Sequence, residues 1–166
     1  MPNASEFIRY FTNVRSRTDR LVPLISPAVM EWRPAPDTFS PGDLLRHLAG
    51  TERYMWAENA QERPARYPGH AFELAPGYDE TLRYFERLRQ ESLDVFTTLT
   101  DEDLERKVAT PAGASMPLWK WLRAMVEHEA HHRGQLYLLL RLQGVATPPL
   151  FGLTSEQVRA AGEPHA

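Results

Sequence analysis

Four long stretches of the chain carry apolar residues at the three- and four-residue spacing of an amphipathic helix, and proline-rich links separate them. No stretch shows the convincing alternation of apolar and polar residues that is typical of a β-strand. The long helices are predicted over residues 5–26, 40–63, 78–99 and 117–143. This pattern predicts an all-α fold, an antiparallel four-helix bundle that residues 1–166 form as a single domain.

Local signals place the helix ends. Ser40 is followed by Pro41 and, three residues after the cap, by Asp43, which predicts a sharp start for the second helix. Shorter helical segments are predicted over residues 100–107 and 154–161, the second being a short C-terminal helix. The predicted capping residues of the other segments are Ser5, Thr100, Ser115 and Thr154. The links are long for a simple bundle, so we expect crossover loops that help to cover a site.

Composition limits the chemistry that is possible. The chain has 166 residues, a net charge of -3 and no cysteine, which excludes disulfides, a protein thiolate and a cysteine-bound zinc site. Its charges are interspersed and give no indication of nucleic-acid binding. No apolar run approaches the roughly 20 residues that span a bilayer, and the N-terminus does not resemble a signal peptide. We therefore expect a cytoplasmic protein with neither a membrane nor a nucleic-acid partner.

The fourth predicted helix contains His128 and His132, whose spacing of four places both imidazoles on one face. In the second helix, His47 lies on an otherwise apolar stripe. Ligands project inward from facing helices in a bundle, so His47 is the best candidate for a third metal ligand. Three neutral imidazoles would leave one coordination position of a divalent metal open, which is the catalytic pattern.

Simpler interpretations of these histidines remain open. An isolated pair at this spacing is more often solvated or hydrogen-bonded, and a single histidine among apolar neighbours is more often a satisfied core residue. The combination of the three favours a metal site. His131 is expected at the surface or beside a ligand, while His70 and His165 lie in a loop and a tail and are expected to be solvated.

Residues 128–132 (HEAHH) satisfy the H-E-x-x-H pattern of zinc metalloproteases, in which Glu129 would be the general base. The pattern is short, and the chain offers no sheet edge to hold an extended peptide. The metzincin extension also fails, because Gln135 and Leu138 stand where glycine and histidine are required. A protease is therefore disfavoured, although Glu129 stays a candidate base for another hydrolytic reaction. It can equally be an exposed charge.

Residues 40–48 (SPGDLLRHL) and 128–136 (HEAHHRGQL) together resemble the DinB/YfiT-like superfamily of metal-dependent enzymes. The resemblance implies a four-helix bundle with a three-histidine site, carried here by His47, His128 and His132. It also implies a frequent homodimer and a divalent metal that is nickel, zinc, manganese or iron. Members of this superfamily include transferases and isomerases that use bacillithiol, mycothiol or glutathione, and many others have no assigned activity.

The leading hypothesis is a bacterial-type metalloenzyme, a thiol-dependent S-transferase that acts on a small electrophilic substrate. Arg133 is the candidate to hold an anionic low-molecular-weight thiol as cofactor, or it simply pairs with an acid. The first alternative is a metal-dependent hydrolase with Glu129 as base. The second is a non-enzymatic, stress-related dimeric bundle in which the metal is structural.

Overall fold

The computed structural model describes residues 3–162, so His165 lies outside the described part of the chain. Its helices are α1 (Ala4–Asp19), α2 (Pro27–Met30), α3 (Pro41–Thr51), α4 (Ala57–Ala60), α5 (Gly77–Phe96), α6 (Asp101–Glu105), α7 (Leu118–Leu142) and α8 (Ser155–Gly162). Single 3-10 turns are formed by Val22–Leu24 and Phe72–Leu74. Over residues 3–162, none of the helices combines the length and the apolar character needed to cross a membrane.

The predicted four-helix bundle is confirmed. Its members are α1, α5, α7 and a second helical run in which α3 continues into α4. Within the bundle, α3 packs against α5 and α7, and α1 packs against α7. The second run is not a plain helix as predicted, because Glu52–Trp56 form a π-helical segment between α3 and α4. A π-helical turn accommodates one extra residue and changes the direction in which the following side chains point.

Three of the predicted helix starts are confirmed by reciprocal capping bonds. The amide of Asp43 donates to Ser40 Oγ at 3.0 Å, and the amide of Ser40 donates to Asp43 Oδ2 at 2.8 Å. Equivalent pairs start α6 at Thr100 and α8 at Thr154. Two predicted caps are wrong, since Asn3 rather than Ser5 caps α1 and Ser115 lies in a strand.

The first helix is shorter than predicted. It ends at Asp19 instead of residue 26, and the chain continues through a 3-10 turn into α2. Pro23 explains the difference: its ring would clash with the carbonyl four residues earlier, which is that of Asp19, and it has no N–H to donate.

A short hairpin was not predicted. Strands β1 (Lys107–Ala109) and β2 (Ser115–Pro117) pair antiparallel, with Val108 opposite Met116. Gly113, in the connecting loop, has a φ of 80°, a left-handed conformation that suits glycine. Strands of three residues are too short to produce a recognisable period-two pattern, so periodicity could not predict the hairpin.

The core is divided into two apolar clusters. One contains Phe7, Phe11 and Phe96 with the first half of α7, and the other contains Leu44, Leu88 and Leu136 with the opposite ends of the helices. In the chain segment of each bundle helix, a buried charged residue lies between the residues of one cluster and those of the other; for α1 the second cluster begins just beyond its end, at Leu21. We call these residues the charge layer: Arg15, Glu52, Arg89 and Glu129.

The charge layer takes one residue from each bundle helix. Arg89 Nη2 lies 3.2 Å from Glu129 Oε1, and Arg89 Nε lies 4.0 Å from Glu52 Oε2. Arg15 Nη1 lies 3.6 Å from Glu52 Oε1. Burial raises the pKa of Glu52, although both arginines act in the opposite direction. A buried ion that loses its partner is strongly destabilising, so this layer fixes how the four helices are aligned.

Arg89→Met is expected to lower the free energy of unfolding by about 3–5 kcal/mol, because it leaves Glu129 and Glu52 buried without their shared partner. Urea denaturation measures the change. Arg83→Met is the matched control, since Arg83 lies on the same helix and pairs with Glu80 in solvent. Its loss of stability should be much smaller, because solvent screens an exposed ion pair. Equal losses in the two variants would show that the charge layer has no special role.

Candidate metal centre

Three imidazoles meet between α3 and α7. His128 and His132 lie one turn apart on α7, and His47 faces them from α3. The Nε2 atoms of His47 and His128 are 2.9 Å apart. One nitrogen from each of the three rings lies within 4.8 Å of the other two. The structure thus brings together the three histidines that helical phase and the resemblance had predicted as ligands.

The other ring nitrogens have partners that orient the imidazoles. His132 Nδ1 lies 2.6 Å from Gln135 Oε1, and His47 Nδ1 lies 3.1 Å from the hydroxyl oxygen of Tyr67. An amide oxygen only accepts hydrogen bonds, so the neutral His132 carries its proton on Nδ1 and leaves Nε2 with a free lone pair. Metal-binding histidines in proteins are commonly held in this way.

The environment favours neutral imidazoles. Burial, reinforced by His132, His128 and His70, lowers the pKa of His47 to about 3. Burial, together with His132 and His131, lowers the pKa of His128 to about 4. The pKa of His132 is also lowered, chiefly by burial. Near neutral pH all three therefore carry a lone pair, which is the form that binds a metal.

The donor set fits a divalent ion. Two nitrogens that each lie about 2.1 Å from the same ion are about 3 Å apart when their bonds meet at a right angle, close to the separation of His47 and His128. Within residues 3–162, the cluster consists of three histidines and includes no carboxylate. Such a set suits several first-row metals and leaves coordination positions open for another ligand.

Aromatic side chains border the imidazoles. The ring of Phe39 lies 5.4 Å from that of His47 and 5.9 Å from that of His132, between centroids. On the other side, the ring of Trp56 lies 5.0 Å from that of His128. His132 is buried, whereas His47 and His128 are only half-buried, so the cluster is shielded on two sides and still reaches solvent.

Tyr67 and His70 lie at the site but were not predicted to be there. Both lie in the link between α4 and α5, where the Tyr67 hydroxyl oxygen is 2.8 Å from His70 Nδ1 and also contacts His47. His70 was expected to be solvated, but it is half-buried, and its ring lies 4.4 Å from that of Phe39. Periodicity carries no information about such a link, because tertiary contacts alone decide where it lies.

Those contacts come mainly from α3. Arg46 is fully buried, and its Nε donates to the carbonyl of His70 at 3.0 Å while it also pairs with Asp43. Gly50 lets the link approach, since a Cβ atom there would lie 2.9 Å from Pro68 Cγ and 3.2 Å from the Tyr84 hydroxyl. The helix that bears His47 therefore also positions the link that bears Tyr67.

Glu129 is not brought to the imidazoles. It follows His128 in sequence, but on a helix it points about 100° away, and it is buried in the charge layer against Arg89. The expectation of an exposed charge is therefore wrong. The carboxylate is directed into the bundle and away from the face of α7 that presents His128 and His132.

Arg133 also lies away from the three histidines. It is buried, and its Nη1 donates to the carbonyl of Val14 at 3.1 Å. The pKa of Arg133 is lowered, chiefly by burial. With Tyr137 and Phe151 it lines a separate cavity of about 440 Å³. The helical positions that line this cavity are on the face of α7 opposite His132.

His131 is exposed, and its ring lies 4.8 Å from that of His132.

Comparisons with known proteins agree with this architecture. The sequence model of the DinB superfamily matches residues 10–136 of the chain. The uncharacterised protein YjoA of Bacillus subtilis (strain 168) is 24% identical over 157 residues, 91% of this chain and 97% of YjoA. The crystal structure of YjoA, a DinB-like protein, matches with a TM-score of 0.70 and covers 87% of this chain and 96% of its own.

Two further solved structures share the fold. YfiT from Bacillus subtilis, a probable metal-dependent hydrolase with an unusual four-helix bundle topology, matches with a TM-score of 0.63 at 18% identity, over 86% of this chain and 89% of YfiT. The mycothiol-dependent maleylpyruvate isomerase matches with a TM-score of 0.68 at 17% identity, over 82% of this chain and 61% of the isomerase. At such identities the matches establish the fold alone.

Gly50→Ala is expected to destabilise the protein by about 1–3 kcal/mol, because the added methyl group would press on Pro68 and displace the link that carries Tyr67. Gly134→Ala, also within a bundle helix, is the control: nothing lies within 4 Å of its added Cβ, so it should gain about 0.5–1 kcal/mol. Chemical denaturation of both variants measures the difference. A gain in both would contradict close packing at Gly50.

Proposed function

The chain belongs to the DinB superfamily, and we propose that it is an enzyme whose reaction depends on one divalent metal held by His47, His128 and His132. The observation that carries this proposal is the convergence of three neutral imidazoles within 4.8 Å of one another, two of them still half-exposed. The ion is nickel, zinc, manganese or iron, since a three-histidine set accepts several metals and availability decides among them.

The protein's part is to hold and orient the donors. Gln135 fixes the ring of His132, and Tyr67 fixes that of His47. Phe39 and Trp56 limit the access of water from two sides. When bound, a divalent ion in such a centre lowers the pKa of a thiol or a water molecule that takes its open position.

We favour thiol-dependent S-transfer to a small electrophile. The chain has no cysteine, so the sulfur nucleophile would come from a low-molecular-weight thiol that acts as cofactor. The fold is shared with a mycothiol-dependent isomerase, which supports a thiol without identifying it. Arg133 is not proposed to hold that thiol at the metal, because it lies on another face of α7 and its guanidinium is directed at α1.

The alternative is metal-dependent hydrolysis, which the shared fold of YfiT supports. The hydrolase hypothesis drawn from the sequence assigned Glu129 as the base. That role is difficult to reconcile with a carboxylate that is buried and paired with Arg89. Hydrolysis therefore remains a candidate reaction for the metal centre, but with a base other than Glu129.

We also propose that the chain forms a homodimer, as the resemblance implies. Near its C-terminal end, Phe151, Leu153 and Val158 leave large apolar side chains exposed, and α8 buries none of its residues. A second copy that covers them would remove apolar surface from water. Sedimentation that finds only monomer at all concentrations would contradict this.

The reaction is tested on metal-loaded protein with a panel of small electrophiles and esters, each with and without glutathione, bacillithiol or mycothiol. S-transfer predicts turnover only when a thiol is present, with one thiol consumed for each product, and loss of turnover by at least 100-fold in His132→Ala. Ester cleavage that proceeds without a thiol would instead support hydrolysis. Equal rates in the wild type and His132→Ala would contradict both.

A further inference from the structure

A cavity of about 460 Å³ adjoins the candidate metal centre on one side of α7. Its lining combines the segment before α3, which contributes Asp37 and Phe39, with one face of α7, which contributes His132, Gln135, Leu138 and Leu139. A volume of this size falls within the range of about 300–1,000 Å³ that is usual for small-molecule sites.

The cavity and the metal centre have residues in common. His132 belongs to both, and Gln135, which also lines the cavity, is the residue that orients the ring of His132. Phe39 lines the cavity, and its ring lies beside those of His47 and His70. A molecule that reaches the three imidazoles can therefore extend into the cavity without crossing the bundle.

The lining of this cavity is largely apolar and contains no arginine or lysine among residues 3–162. Its one carboxylate, that of Asp37, would repel an anion. Leu138 is 58% exposed, so part of its apolar surface remains in water. A neutral apolar group that covered this surface would gain free energy in proportion to the area buried. By contrast, the cavity bordered by Glu80, Arg83 and Arg87 is lined by several charged side chains.

We propose that this cavity binds the apolar part of the substrate. The ligand class is a molecule with a metal-binding head group joined to a neutral aliphatic or aromatic tail of about six carbons or more. The head would meet the three imidazoles, and the tail would lie between Phe39, Leu138 and Leu139. This inference rests on the proposed metal function, because the metal anchors the head group.

The direct test measures the affinity of straight-chain alkyl hydroxamates for the cobalt-loaded protein, followed by the visible spectrum of the metal. Affinity should rise about threefold to fourfold with each added methylene until the cavity is filled. A chain of equal length that ends in a carboxylate should bind at least tenfold more weakly than its neutral counterpart. Affinity that is independent of chain length would overturn the proposal.

Two leucines provide matched variants. Leu138 and Leu142 lie one turn apart on α7 and are 58% and 56% exposed, but Leu142 does not line the cavity. Leu138→Asp should remove most of the dependence of affinity on chain length. Leu142→Asp should leave that dependence unchanged. If the two variants behave alike, the tail does not bind in this cavity.

A second measurement separates failure of the cavity from failure of the metal proposal. The metal-free protein is titrated with 1-hexanol, and the methyl resonances of Leu138 and Leu139 are followed by NMR. Shifts of both residues' methyl groups in the wild type, with the Leu139 shifts lost in Leu138→Asp and kept in Leu142→Asp, support the cavity even if the protein binds no metal. If they do not move while hydroxamates still bind to the cobalt form, the cavity proposal is wrong and the metal centre stands.

Discussion

The charge layer is the interaction on which the rest of this structure depends. Arg89, on α5, pairs with two buried glutamates. Glu52 lies on the helical run that carries His47, and Glu129 lies on the helix that carries His128 and His132. Both ligand-bearing helices are thus tied to one buried guanidinium. Removing charges from water is costly, and the ion pairs offset that cost only in one alignment of the helices. That alignment is the one in which the three imidazoles meet.

Two neighbouring faces of α7 have different roles. One face presents His128 and His132 toward α3, and the neighbouring face buries Glu129 in the bundle. On the other side of the site, Arg46 and Gly50 hold the link that brings Tyr67 to His47. The candidate metal centre is therefore supported by buried ion pairs inside the bundle and by a link whose position depends on Arg46 and Gly50.

Much of this architecture could be predicted from the sequence. Helical periodicity located the four long helices, the pair Ser40 and Asp43 located the start of α3, and helical phase placed His47, His128 and His132 on inward faces. Those signals are local or repeat along one helix. The burial of Glu129 and the position of Tyr67 could not be predicted, because each depends on residues distant in sequence, namely Arg89 for Glu129 and His47 for Tyr67.

The central claim is that His47, His128 and His132 bind a metal, and its most direct test is the metal content of protein purified without a histidine tag. Wild type should retain about one divalent ion per chain, and His132→Ala should lose it. His131→Ala is the control, because His131 is an exposed neighbour on the same helix and should leave the metal content unchanged. Equal metal content in all three proteins, whether negligible or stoichiometric, would contradict the claim.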